Sequence, residues 1–198
     1  MNQTAVASVH EEETSTGLPT FKLGFWTFIG SESLFFGGLI STYMVYQGRS
    51  VTGPYPSDVF NIPLTSVSTF VLLMSSLAMV LALAAVQRDD RKGTLTWLMT
   101  TAVMGMIFLG FQAYEFTEFV NMGLKIDTNL FGSSFFFLTG FHGAHITVGI
   151  IWLLALWVQA LRGQLRKENA LRVEVAGLYW HFVDIIWIVI FTFVYLLD

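Results

Sequence analysis

Long stretches without formal charge dominate the chain, and short polar segments separate them. Five stretches reach the length of roughly 20 apolar residues that a membrane-spanning helix needs. The predicted spans are residues 22–47, 63–87, 94–119, 131–161 and 176–197. Helices satisfy their own backbone hydrogen bonds in lipid, and these stretches are too long and too uniformly apolar for barrel strands. The pattern therefore predicts an all-α, polytopic membrane protein with five transmembrane helices.

The N-terminal segment differs from the rest of the chain. It reads MNQTAVASVHEEETSTGLPT, which is polar and acidic. It has neither the basic start nor the apolar centre of a signal peptide. Such a composition predicts a disordered tail over residues 1–20, followed by a five-helix transmembrane domain over residues 21–198.

Composition supports a membrane protein and excludes one class of metal site. Of the 198 residues 54% are hydrophobic and only 12% are charged, a balance that soluble domains rarely show. The chain has no cysteine. Disulfides and metal sites held by thiolates are therefore excluded. We expect no nucleic-acid partner.

The basic residues predict the orientation in the membrane. With five spans, the N-terminus and the loops after the second and fourth spans lie on one side. That side carries eight of the ten Lys and Arg residues: Lys22, Arg88, Arg91, Lys92, Arg162, Arg166, Lys167 and Arg172. Only Arg49 and Lys125 lie on the other side. The excess predicts a cytoplasmic N-terminus and an outside C-terminus.

Ionisable side chains within spans are costly and usually face protein or water. Six of the seven candidates form three pairs at a spacing of three residues, which places both members on one helix face. The pairs are Glu115 with Glu118, His142 with His145, and His181 with Asp184. Each pair is predicted to present a polar stripe to a neighbouring helix.

These pairs are compatible with two roles, metal ligation and hydrogen bonding between helices. Di-iron bundles use inward-facing Glu and His residues. At about 1.5 Å of rise per residue, however, the third pair should lie too deep on the opposite side to join the first two. Hydrogen bonds between helices are therefore favoured over metal ligation for His142 and His145, with Glu115 as the expected partner of a histidine. His181 and Asp184 could bond each other or another span.

Glu32 is the seventh candidate and is isolated in the sequence. It lies about ten residues into the first span, with no Lys or Arg at that depth. A carboxyl group in such surroundings is expected to favour its neutral form, with Ser31 and Ser33 as local partners. A role in proton handling or in contacting a partner is the alternative.

Four motifs in order carry a resemblance to a known family. They are "SESLFFGG" in the first span, "QAYEF" in the third, "GSSFFFLTGFHGAHITVGIIWL" in the fourth and "YWHFVDIIWIVIFTFVYL" in the fifth. Over residues 20–198 the chain resembles subunit III of the haem–copper respiratory oxidases, in the short five-span bacterial form.

The resemblance implies a function that the residues alone do not. Subunit III carries no haem or copper, and those groups belong to partner subunits. It is an accessory subunit of a proton-pumping terminal oxidase that reduces oxygen to water in the bacterial inner membrane. The resemblance implies packing against the catalytic subunit I, beside subunits II and IV. It also implies a V of two plus three helices whose cleft holds phospholipid, and roles in stability, proton uptake and oxygen access.

The resemblance also assigns residues. Glu32 matches the family's buried, carbodiimide-reactive carboxyl, and His142 and His145 match its histidine pair. Other matching positions are Glu115, Trp180, His181, Asp184 and Glu174. A lipid-binding Arg of longer relatives is replaced here by Gln159, with Arg162 one turn further as a possible head-group contact.

Glu32 and "GFHGAH" favour cytochrome c as the electron donor, since the quinol branch is expected to have Asp at position 32. Subunit III of a quinol oxidase remains an alternative. Two further alternatives come from other classes: a di-metal membrane oxygenase, and a proton-coupled transporter that uses Glu32.

Overall fold

Five long helices account for most of the chain. The computed structural model describes residues 20–49 and 60–197, so all of the predicted tail except Thr20 lies outside the described residues. The helices are α1 (Thr20–Tyr46), α2 (Ile62–Gln87), α3 (Arg91–Asn121), α4 (Leu130–Leu161) and α5 (Ala170–Ile190). A 3-10 turn (Lys167–Asn169) precedes α5, and a π-helical segment (Phe191–Leu196) continues it. All five are long and apolar enough to cross a membrane, which confirms the predicted all-α class.

Three helices begin at a side-chain cap. The side chains of Asn61, Asp90 and Asn129 accept hydrogen bonds from backbone N–H groups three residues later, at 3.2, 3.0 and 2.7 Å respectively. Each cap satisfies one of the N–H groups that the first turn of a helix leaves unpaired. These residues therefore fix where α2, α3 and α4 start.

The helices pack around one shared core. Helix α3 contacts α2 and α4, and α5 closes the group by contacting α2 and α4. Trp180 of α5 lies at the centre, against two glycines. A Cβ atom at Gly105 would lie 2.6 Å from its ring, and one at Gly149 would lie 2.9 Å away. The missing side chains thus let three helices approach a single indole.

Helix α1 lies on the outside of this core. It contacts α4 and α5, and it is the least buried of the five helices. Helix α2 instead contacts α3 and α5. The structure does not show the predicted V of two plus three helices: α1 and α2 both contact α5, while α4 is a neighbour of α1 and α3 is a neighbour of α2.

Candidate functional site

Glu32 and His145 form a polar contact between α1 and α4. The Glu32 Oε2 and His145 Nε2 atoms are 3.1 Å apart, and His145 Nδ1 lies 2.7 Å from the carbonyl oxygen of Phe141. Glu32 is therefore not isolated in the fold. The expectation that Ser31 and Ser33 would partner it was wrong, because each donates to a backbone carbonyl of its own helix.

The geometry limits the protons of this pair. A carbonyl oxygen only accepts, so Nδ1 of His145 must carry a hydrogen. In a neutral imidazole Nε2 then accepts, and Glu32 must be the protonated donor. In the other state the imidazolium donates from Nε2 to an ionised Glu32. Either way, the Glu32–His145 hydrogen bond contains one proton, which can reside on either side.

An apolar hollow lies beside this pair. It has a volume of about 580 Å³ and is lined by α1, α4 and α5. Its aromatic lining consists of Phe25 and Phe28 of α1, Trp152 of α4 and Tyr179 of α5, and the rings of Phe25 and Trp152 meet edge to face at 6.0 Å. The side chains of Glu32 and His145 are about one fifth exposed, and both line the hollow. The polar pair therefore faces a space whose other walls suit a hydrocarbon chain.

His142 occupies a different place from His145. It is fully buried, and its Nε2 donates to the carbonyl oxygen of Val183 on α5 at 3.1 Å. Its ring stacks on that of Trp187, with centroids 4.9 Å apart and planes at 30°. The ring of Phe108 lies edge-on at 6.0 Å. His142 thus joins α4 to α5 by a hydrogen bond and by aromatic contact.

Glu115 does not bond to a histidine, so that expectation was wrong. It is buried on α3 and accepts a hydrogen bond from the hydroxyl of Thr65 on α2. The neighbouring Gln112 reaches α4 instead, where its amide donates to the carbonyl oxygen of Thr139 at 2.8 Å. The two acidic residues of this pair also separate, because Glu118 faces an open hollow between α2 and α3.

His181 and Asp184 meet at one hydroxyl of α2. The Ser76 hydroxyl donates to Asp184 Oδ2 at 2.7 Å, and His181 Nδ1 lies 3.2 Å from the Ser76 Oγ atom. Since the single hydroxyl hydrogen goes to Asp184, His181 must donate to Ser76. His142 bonds to the carbonyl oxygen of Val183, the residue before Asp184, so the two pairs lie at a more similar depth than predicted. The side chains of His181 and Asp184 nevertheless contact Ser76 of α2 and not His142.

Hydroxyl groups of α2 were missed by the sequence analysis. Thr69 accepts from the indole of Trp187 and Ser75 accepts from that of Trp180, both at 2.9 Å. Together with Thr65 and Ser76 they form a row along α2 that receives polar groups from α3 and α5. Thr65, Thr69 and Ser76 follow one another at intervals of four and seven residues, with Ser75 next to Ser76, and this pattern in an apolar span was the available signal.

Most basic residues lie at the end of the bundle where α1, α3 and α5 begin and α2 and α4 end. Lys22 of α1 and Glu174 of α5 form an ion pair at 2.5 Å. Arg172 donates to the side chain of Gln159 at 3.1 Å, which joins α5 to the end of α4. Arg162 is exposed just after α4. Among the described residues, no group of three or more His, Asp or Glu side chains is arranged to hold a metal ion.

Comparisons with known proteins identify the family of the chain. The sequence model of the family described as cytochrome c oxidase subunit III matches residues 2–198. The chain is 40% identical to a probable quinol oxidase subunit 3 of Staphylococcus saprophyticus over 89% of this chain and 88% of that protein. It is 38% identical to cytochrome c oxidase subunit 3 of a Bacillus species over 98% and 94%. It is 37% identical to quinol oxidase subunit 3 of Bacillus subtilis over 88% and 86%.

Relatives named for both electron donors thus match the chain at nearly equal identity, and the matched region includes all five helices. The chain belongs to the cytochrome c oxidase subunit III family, and it is the third subunit of a haem–copper terminal oxidase, a multi-pass membrane protein of a bacterial respiratory chain.

Proposed function

We propose that this chain is an accessory subunit that stabilises the catalytic subunit of a proton-pumping oxidase and supports its proton uptake. The observation that carries the proposal is the hydrogen bond between Glu32 and His145 at the edge of an apolar hollow. A carboxyl group that shares one proton with an imidazole can pass that proton to the ring and take it back with both hydrogen bonds kept. Such a group suits a subunit that influences proton movement but performs no redox step.

The orientation follows from charge. Eight of the ten basic residues lie at the N-terminal end of α1, or in and next to the connections between α2 and α3 and between α4 and α5. We place this end of the bundle in the cytoplasm and the C-terminus outside. On this orientation, Lys22, Arg91 and Arg172 lie near the cytoplasmic surface, where proton uptake begins.

The family's lipid cleft is assigned to the hollow beside α1. Its walls include Phe25, Phe28 and Trp152, which suit an acyl chain, and α1 lies on the outside of the core. Arg162 and Arg172 lie at the basic end of the α4–α5 pair and are suited to a phospholipid head group. The lipid would then support α1 where the described residues leave it exposed.

Cytochrome c is the electron donor that we propose for the complex, with quinol as the second candidate. Glu32 at the position where Asp is expected in the quinol branch favours cytochrome c. The relatives named as quinol oxidase subunits favour quinol, and one of them has the higher identity among those described above. The donor is chosen by partner subunits, so the test must examine the whole complex.

The test is a mild-detergent purification of the complex through this chain from its native membrane. We expect a haem spectrum and larger subunits in the eluate, and oxygen consumption that depends on reduced cytochrome c. Oxygen consumption with quinol alone would support the second donor. A colourless single chain would contradict the accessory role. A single chain that contains iron would indicate that His142 and His145 are metal ligands.

A further inference from the structure

A second hollow lies between α2 and α3, away from the Glu32–His145 pair. Its volume is about 540 Å³. Ile107, Gly110 and Phe111 line it on α3, and Leu64 lines it on α2. A Cβ atom at Gly110 would have no heavy atom within 4 Å. The hollow is therefore open partly because this position of α3 has no side chain.

Glu118 lies at the polar end of this hollow, together with Asn61 and Tyr114. Its side chain is half-buried, yet it has no partner in the part of the chain that the structure describes. The two ion pairs found there are Lys22–Glu174 and His145–Glu32, and no described residue donates a hydrogen bond to its carboxylate. Glu115, one turn away, is instead satisfied by Thr65.

The helix itself increases the need for a cation at this position. Glu118 lies in the last turn of α3, which contains no basic residue. The C-terminus of a helix carries partial negative charge, so an acidic side chain there is unfavourable unless a cation lies close by. The hollow thus combines apolar walls with an unpaired anion at one end.

The length of the hollow matches one leaflet of a membrane. Residues 107 to 118 of α3 extend over about 16 Å at 1.5 Å per residue. This is close to half of the roughly 30 Å hydrocarbon thickness of a bilayer. Glu118 lies near the end of its span, at the membrane surface, and Ile107 lies near the middle. The polar end and the apolar walls are therefore spaced as the head group and the acyl chain of one lipid are.

We propose that this hollow binds a phospholipid with a primary-amine head group, such as phosphatidylethanolamine, whose ammonium group pairs with Glu118. An ammonium group brings both a positive charge and N–H donors to a carboxylate, whereas a glycerol head group has no cation and a choline head group has no N–H donor. On the orientation proposed above, the lipid belongs to the outer leaflet. The binding itself depends on neither that orientation nor the electron donor.

The site differs from the lipid positions considered under the proposed function. Those lie beside α1 and at the basic end of the bundle, where cations suit anionic head groups. The hollow between α2 and α3 has the opposite charge and lies at the opposite end of the helices. The two kinds of site should therefore select different lipids.

The test uses the purified oxidase complex, stripped of lipid and titrated in detergent with phosphatidylethanolamine, phosphatidylglycerol or phosphatidylcholine, with bound lipid counted by native mass spectrometry. We expect one phosphatidylethanolamine per complex that Glu118→Gln weakens about tenfold. Gly110→Leu should weaken it too, because the new side chain fills the hollow, and Gly110→Ala serves if the larger residue disturbs folding. Glu168→Gln, an exposed carboxylate at the other end, is the matched control and should change nothing.

Three results would overturn the proposal. The first is equal binding of the three lipids at the site. The second is a Glu118→Gln complex that keeps its phosphatidylethanolamine. The third is a zero-length cross-link between Glu118 and a lysine of a partner subunit, which would show that protein and not lipid neutralises the carboxylate. A normal haem spectrum of each variant complex establishes that the result reports on the lipid site and not on assembly.

Discussion

His145 and Glu32 share one hydrogen bond across the contact between α4 and α1, while the other ring nitrogen of His145 is committed to a carbonyl oxygen of its own helix. The pair can exist with both groups neutral or both charged, and each form keeps the same two hydrogen bonds. Substitutions of Glu32 can distinguish the two forms. Glutamine removes the acidic proton but keeps the hydrogen bond to His145, whereas alanine removes both.

Glu32→Gln should leave the complex assembled. The glutamine amide can donate to Nε2 of a neutral His145, so the contact between α1 and α4 survives. We expect an unchanged yield of complex and a thermal midpoint close to that of the parent. The stretching band of a protonated carboxyl group should disappear from infrared spectra if the neutral form is the resting one. Glu32→Ala is the comparison, since it loses the hydrogen bond and should cost about 1 kcal/mol. A complex that fails to assemble with Gln would show that the charged form is required.

His142→Ala should lower stability without altering metal content. The change removes a buried ring that stacks on Trp187 and a hydrogen bond to the Val183 carbonyl oxygen. By analogy with truncation of other buried rings, the cost should be roughly 3–5 kcal/mol. Thermal denaturation in detergent measures the effect, with metal analysis of the same sample. Phe141→Ala, at the exposed preceding position, should cost far less. Loss of bound iron or copper from the chain itself would contradict the packing role.

Gly149→Ala should destabilise the bundle through Trp180. The new methyl group would lie 2.9 Å from the indole, which is rigid and held by Ser75. Overpacking of this kind costs about 1–3 kcal/mol. Gly140→Ala on the same helix meets no atom within 4 Å and should be neutral or slightly stabilising. Denaturation midpoints of the two variants give the comparison, and equal midpoints would show that the Trp180 ring can move aside.

Thr69→Val should leave the indole N–H of Trp187 without a partner. Valine has nearly the same shape as threonine but accepts no hydrogen bond, so the expected cost is about 1–3 kcal/mol. Thr42→Val on the exposed side of α1 is the control, because that hydroxyl bonds only to its own helix. Adding Trp187→Phe to Thr69→Val separates the hydrogen bond from packing. If the two changes add without coupling, the hydrogen bond contributes little.

The sequence predicts the helices far better than it predicts their contacts. Uninterrupted apolar length is a property of each segment alone, so five helices follow from it. The partner of Glu115 depends on how α2 and α3 rotate against each other, and the choice of Thr65 over a histidine is therefore not visible in the sequence. The spacing of His142 and His145 does place both on one side of α4. The two still have different partners, because His145 bonds to Glu32 of α1 and His142 bonds to α5.

Depth along the membrane was the least reliable inference. It assumed that helices start level with each other, but α4 has 32 residues and α5 has 21, with a π-helical extension. Counting from the helix ends therefore misplaced His181 and Asp184 relative to His142. The hydroxyl groups of α2 were overlooked for a different reason, since Ser and Thr satisfy themselves on the helix backbone and need no partner to enter a membrane.

Arg91, the first residue of α3, donates hydrogen bonds to the carbonyl oxygens of Ala160 and Leu161, the last residues of α4. The final turn of a helix leaves four carbonyl groups without a partner inside the helix. Here the Leu161 carbonyl receives the Arg91 side chain, and the Ala160 carbonyl receives it in addition to the backbone N–H of Gly163. During synthesis the pair formed by α2 and α3 exists before α4 is complete. The Arg91 side chain that caps the last turn of α4 is therefore already present when that turn forms. The helices can thus assemble in the order in which they occur in the sequence.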